Sequence, residues 1–77
     1  MGDIASARLS FKRAANVGAA QAALELGMTF DAVILAQRGA LSIVPDVSQA
    51  RAWYDMAIKL GSTEASGRLE RLAHIGR

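Results

Sequence analysis

The apolar residues between Asp46 and Gly61 recur at helical spacing. At about 100° per residue, Val47, Ala50, Trp53, Tyr54, Met56, Ala57, Ile58 and Leu60 cover more than half of the circumference, leaving a narrow strip of Arg51, Asp55 and Lys59. A helix this apolar has neighbours on two sides. Asp46 is placed to accept from the free amides of the first turn, Gln49 sits where a capping-box partner belongs, and Gly61 suits the left-handed residue that ends a helix.

The same pattern occurs earlier in the chain. A shift of 43 positions lays Asp3, Ala7, Arg8, Ala14, Gly18, Ala22 and Leu26 on Asp46, Ala50, Arg51, Ala57, Gly61, Ala65 and Leu69. Ile4 then faces Val47, Phe11 faces Tyr54, Val17 faces Leu60 and Gln21 faces Glu64. The register holds across two helices without a gap, so the chain reads as a helical hairpin occurring twice. The first unit covers residues 3–30, an irregular connection 31–45 and the second unit 46–75, all within one domain.

In chain order, a first helix is expected over Asp3 to Asn16, with Ile4, Ala7, Phe11, Ala14 and Ala15 as its apolar stripe. Its other face carries Arg8, Lys12, Arg13, Asn16 and the apolar Leu9. Leu9 fits either an ordinary exposed leucine or contact with a preceding repeat or partner. Gly18 breaks the chain, and a second helix over Ala19 to Phe30 is apolar nearly all round, which makes it the central, sandwiched one. Gly27 within it costs about 1 kcal/mol relative to alanine, so its use is to let another backbone approach closely.

Asp31 can cap a short helix over Ala32 to Arg38, ended by Gly39. Val33, Ile34 and Leu35 read as added core, and Leu41, Ile43 and Val44 continue as an apolar segment before Pro45 holds Val44 extended. The last helix, Ser62 to Ile75, has Ser62 as N-cap and a single stripe of Ala65, Leu69, Leu72 and Ile75. Gly67 stands where the second helix has Leu24, so the face toward a further repeat has lost an apolar contact and reads as the end of the array.

The run Ala50-x-x-Trp53-Tyr54-x-x-Ala57-x-x-Leu60-Gly61-x-x-x-Ala65-x-x-x-Leu69, preceded by Pro45-Asp46, resembles the Sel-one-like repeat, a relative of the tetratricopeptide repeat. The first unit is similar through Ala7, Phe11, Ala14, Ala15, Gly18, Ala22, Leu26, Gly27 and Phe30. It departs from the pattern at Ser10, which stands where the second unit has Trp53, and in the longer connection after Phe30. The resemblance covers nearly the whole chain. It implies an all-α, α/α repeat fold of two antiparallel hairpins with an extra short helix in the connection, and a non-enzymatic scaffold that binds another protein or peptide.

In such arrays the first helix of each pair lines the concave side. That side would show Arg8 and Lys12 beside Arg51, Tyr54 and Asp55, with Arg8 and Arg51 gripping an acidic segment at two equivalent points. Pairing of Arg51, Asp55 and Lys59 along their own helix is the plainer account of the second group. Trp53 falls within the buried arc and reads as core.

Composition narrows the chemistry. Seventy-seven residues make one small domain with a modest core. There is no cysteine and one histidine, His74, so neither a metal cluster nor a Cys/His or Ser/His/Asp arrangement can be assembled, and no cofactor is implied. The net charge is only +2. No apolar run approaches the ~20 residues that span a bilayer, and Met1 leads at once into the first helix rather than a signal peptide. No membrane contact is expected within this segment.

The spacing Ala14, Gly18, Leu24 matches a helix-turn-helix, but the would-be recognition helix offers only Gln21, Glu25 and Thr29, with no cation for phosphates, so nucleic acid is not an expected partner. A structural role as a C-terminal cap or a homodimerising module remains as the alternative, because about three repeats are usually needed for a continuous core and two are present.

Overall fold

The computed structural model describes residues 4–40 and 42–75, the side chain of Ile75 excepted. Five helices lie among the described residues: α1 Ile4–Asn16, α2 Ala20–Met28, α3 Ala32–Gln37, α4 Val47–Lys59 and α5 Thr63–Ile75. The fold is all-α. Its three main pairings are α1 with α2, α2 with α4, and α4 with α5, so each long helix packs on the next.

The turns explain why the helices stop where they do. After α1, the Gly18 amide donates to Ala15 and the Ala19 amide to Ala14, at 3.0 and 3.1 Å. After α4, the Gly61 amide donates to Ile58 and the Ser62 amide to Ala57, at 3.0 and 2.8 Å. These are the same Schellman closures at positions 43 apart, each around a glycine with positive φ (97° and 106°) that an L side chain would strain. Asp31 accepts from the Val33 amide at 2.8 Å, Asp46 from the Gln49 amide at 3.1 Å, and Ser62 Oγ from the Ala65 amide at 3.2 Å. Each of these polar residues starts a helix by satisfying one of its orphan amides.

α2 ends differently from the sequence expectation. Helical geometry stops at Met28, and Thr29 takes the cap position, its hydroxyl donating to the Leu26 carbonyl at 2.7 Å. The amides of Phe30 and Asp31 then donate to Gly27 and Met28 in tighter i to i+3 bonds. From here residues 31–45 leave the hairpin and return, because the Asp46 amide donates to the Phe30 carbonyl at 2.9 Å. The connection is therefore a closed excursion between two helices that already touch. Within it Ile34 and Leu35 are buried, while Val44 is 81% exposed, so the expected apolar run does not continue to Val44. Leu41 lies outside the described residues, as does Asp3 at the expected start of α1.

The core gathers Ala15, Ala22, Ala23, Leu24, Met28, Ile34, Ala50, Tyr54, Ala57, Ala65 and Leu72. Alanines dominate its helix contacts, which brings the axes close. The closest approach is at Gly27. A Cβ there would stand 2.6 Å from two ring carbons of Tyr54 and 3.3 Å from the Ala50 carbonyl oxygen. The neighbour that requires a glycine is thus chiefly an aromatic ring, with the α4 backbone second.

Candidate functional site

α1 and α4, the first helices of the two hairpins, are the walls of an open groove of about 310 Å3. α1 supplies Ala5, Arg8, Leu9 and Lys12, which recur at the i, i+3, i+4, i+7 spacing of one helix face. α4 supplies Gln49 and Trp53, one turn apart. The floor is Leu26 from α2 with Phe30 just beyond its end. Among the described residues the lining holds two cations, one amide and no carboxylate.

Arg8 is not a freely swinging side chain. Its Nη2 donates to the Thr29 carbonyl at 2.6 Å, its Nε donates to the Thr29 hydroxyl at 3.1 Å, and its guanidinium carbon lies 3.8 Å from the centroid of the Phe30 ring. The Thr29 hydroxyl accepts this bond while donating its own hydrogen to Leu26, so every polar atom of the cap is used. Stacking and hydrogen bonding together fix the plane of the guanidinium. Lys12, one turn further along α1, is exposed and makes no ion pair among the described residues.

The five expected contact residues separate. Arg8 and Lys12 line the groove; Arg51 and Asp55 are exposed on another face of α4, and neither belongs to the lining. Tyr54 is a correction. It is fully buried, its ring against Gly27 and its hydroxyl donating to Asp31 Oδ2 at 2.5 Å, so it cannot touch a partner. Burial first, and then the Asp31 carboxylate beside it, push the Tyr54 hydroxyl far above the ordinary phenol range, with Arg68 and Arg38 pulling weakly the other way.

The carboxylate of Asp31 therefore serves twice, one oxygen capping α3 and the other holding α4. Trp53, expected in the core, is half-buried and forms part of the groove wall as well as packing on the core. Gln49 and Phe30 are groove residues that sequence reasoning placed elsewhere, as a cap partner and a helix end. Their common signal is position: both lie one helical turn or less from a unit boundary, where the two units meet.

The remaining expectations about pairing also separate. Among the described residues the one ion pair is Arg68 with Glu64, at 2.6 Å along α5, and the strip Arg51, Asp55, Lys59 forms none. No group of three or more His, Asp or Glu side chains converges among the described residues. No helix there is long and apolar enough to cross a membrane. α2 is sandwiched between α1 and α4, and its one exposed polar side chain, Gln21, donates to Glu25 at 3.1 Å.

Comparison with family models, with curated proteins and with solved structures gives no match.

Proposed function

We propose that the chain is a non-enzymatic protein-interaction module of the Sel-one-like, tetratricopeptide-related kind, which receives an extended segment of a partner in the groove between α1 and α4. The observation that carries this reading is the groove itself. It is open, its walls come from the first helix of each hairpin, and it combines apolar surface from Trp53, Phe30 and Leu9 with the cations Arg8 and Lys12. Aromatic and arginine side chains in a concave site are the residue types that most often anchor protein contacts.

Panning a displayed-peptide library on the folded chain tests it. Binders are then titrated by the emission of Trp53, the single tryptophan. A saturable change that is lost in Leu9→Glu, a variant at an exposed position, supports the groove. Failure to enrich any peptide, or binding indifferent to Leu9→Glu, refutes it. Leu9 is also 49% exposed at the rim, which supports the homodimer alternative: sedimentation showing a dimer that Leu9→Glu dissociates would put a second copy in place of the peptide.

A further inference from the structure

The groove lining is electrostatically one-sided. Arg8 and Lys12 stand on the same wall, and no acidic side chain lines the groove among the described residues. Of the five N–H groups of the Arg8 guanidinium, Nε and one hydrogen of Nη2 are committed to Thr29. The other three have no partner among the described residues. A guanidinium already stacked on Phe30 and oriented by two bonds loses little freedom when it takes a further acceptor, which is how a recognition group gains affinity from preorganisation.

We propose that Arg8, seated on Phe30 and Thr29, is the receptor for a side-chain carboxylate of the partner segment, with Lys12 as the supporting charge. The residue beside that carboxylate is apolar and enters the groove against Trp53 and Leu26. The inference rests on the groove being the binding face, and it adds the partner's chemistry: an extended segment in which an Asp or Glu adjoins a bulky apolar side chain. Planar N–H donors match a carboxylate better than any neutral acceptor, and charge-assisted bonds of this kind are about twice as strong as neutral ones.

The probes are two blocked peptides with neutral ends, acetyl-Gly-Leu-Glu-Leu-Gly-amide and its Gln counterpart, titrated against the intact chain by Trp53 emission at low salt. The Glu peptide is expected to bind about tenfold more tightly, the ratio of a charge-assisted contact to a neutral one. The preference should fall to about twofold in Arg8→Lys, which keeps the charge but not the planar fork. Lys12→Gln, at an exposed position that leaves the fold intact, should reduce the preference two- to threefold, and it serves if Arg8→Lys does not fold.

Equal affinity for the two peptides overturns the carboxylate site while leaving the groove in place. A preference for Glu that survives both substitutions overturns the assignment to Arg8 and Lys12. Binding of neither peptide overturns the inference too, and the underlying reading falls with it only where library panning also returns nothing. A free C-terminal carboxylate on the Gln peptide that restores full affinity would replace the side chain by a chain end as the source.

Discussion

Arg8 and Arg51 stand at the same position of the two hairpins and have opposite surroundings. Arg8 reaches Thr29 and Phe30 at the end of α2; the positions 43 further on are Leu72 and Ala73, which offer neither a hydroxyl nor a ring. Arg51 accordingly remains exposed. The same contrast holds deeper in the fold. Tyr54 is fully buried on a helix that packs against both α2 and α5, whereas its counterpart Phe11, on a helix whose one extensive pairing is with α2, is half-buried. Equal position in a repeat fixes a residue's place on its own helix; the neighbouring unit decides whether that residue is core, groove or surface.

The contrast can be tested by paired substitutions. Tyr54→Ala should cost about 3–5 kcal/mol, in the range for truncating a buried aromatic, enough to unfold much of a domain this small. Phe11→Ala should cost visibly less, because that ring is only partly buried. Chemical denaturation of both variants reads the difference, and equal losses would show that the two hairpins are buried alike.

The next largest effect belongs to Gly27. A methyl group there meets the Tyr54 ring at 2.6 Å, so Gly27→Ala should destabilise by about 1–3 kcal/mol despite its better helix propensity. The equivalent position on α5 is Glu70, which is exposed, and Glu70→Ala should change stability by no more than about 0.5 kcal/mol. A stabilised Gly27→Ala would mean that α2 and α4 are further apart than described.

Arg8→Ala should cost about 1–2 kcal/mol through its two bonds to Thr29 and its stacking on Phe30, while Arg51→Ala should lie within about 0.5 kcal/mol of the parent. In binding, Arg51→Glu should leave affinity for a groove ligand unchanged and Arg8→Glu should abolish it. If Arg51→Glu were the damaging variant, the binding face would lie on the far side of α4.

A further effect appears in alkali. The folded chain holds the Tyr54 hydroxyl protonated above its ordinary range, so the unfolded state releases that proton first as pH rises. The corresponding stability is fully present below about pH 10, the unfolded phenol value, and declines as pH climbs past it. Tyr54→Phe should lose stability near neutrality, by about 1–3 kcal/mol for leaving an Asp31 oxygen without its partner, and should then show a flatter profile above pH 10. Parallel profiles for the two proteins would place Tyr54 in water.

Much of this fold was legible because its signals are local. Asp31, Asp46 and Ser62 cap helices within three residues of themselves, Gly18, Gly39 and Gly61 end them, and the 43-residue register is carried by residues that keep their identity. The groove was only partly legible. Trp53 and Tyr54 are adjacent in sequence and both lie within the apolar arc of α4, so periodicity alone could not say that one packs on Gly27 while the other faces α1. The docking of Arg8 depends on a threonine 21 residues away and on where α2 stops, two residues earlier than its apolar pattern suggests.

The second hairpin is stacked on the first through α2 and α4, with Gly27 against the ring of Tyr54. A nuclear Overhauser spectrum of the chain in solution tests it most directly. Strong cross-peaks are expected between the Gly27 α-protons and the Tyr54 ring protons, with those α-protons displaced by the ring current. Gly27 α-protons at ordinary shifts, with no cross-peak to the ring, would contradict it.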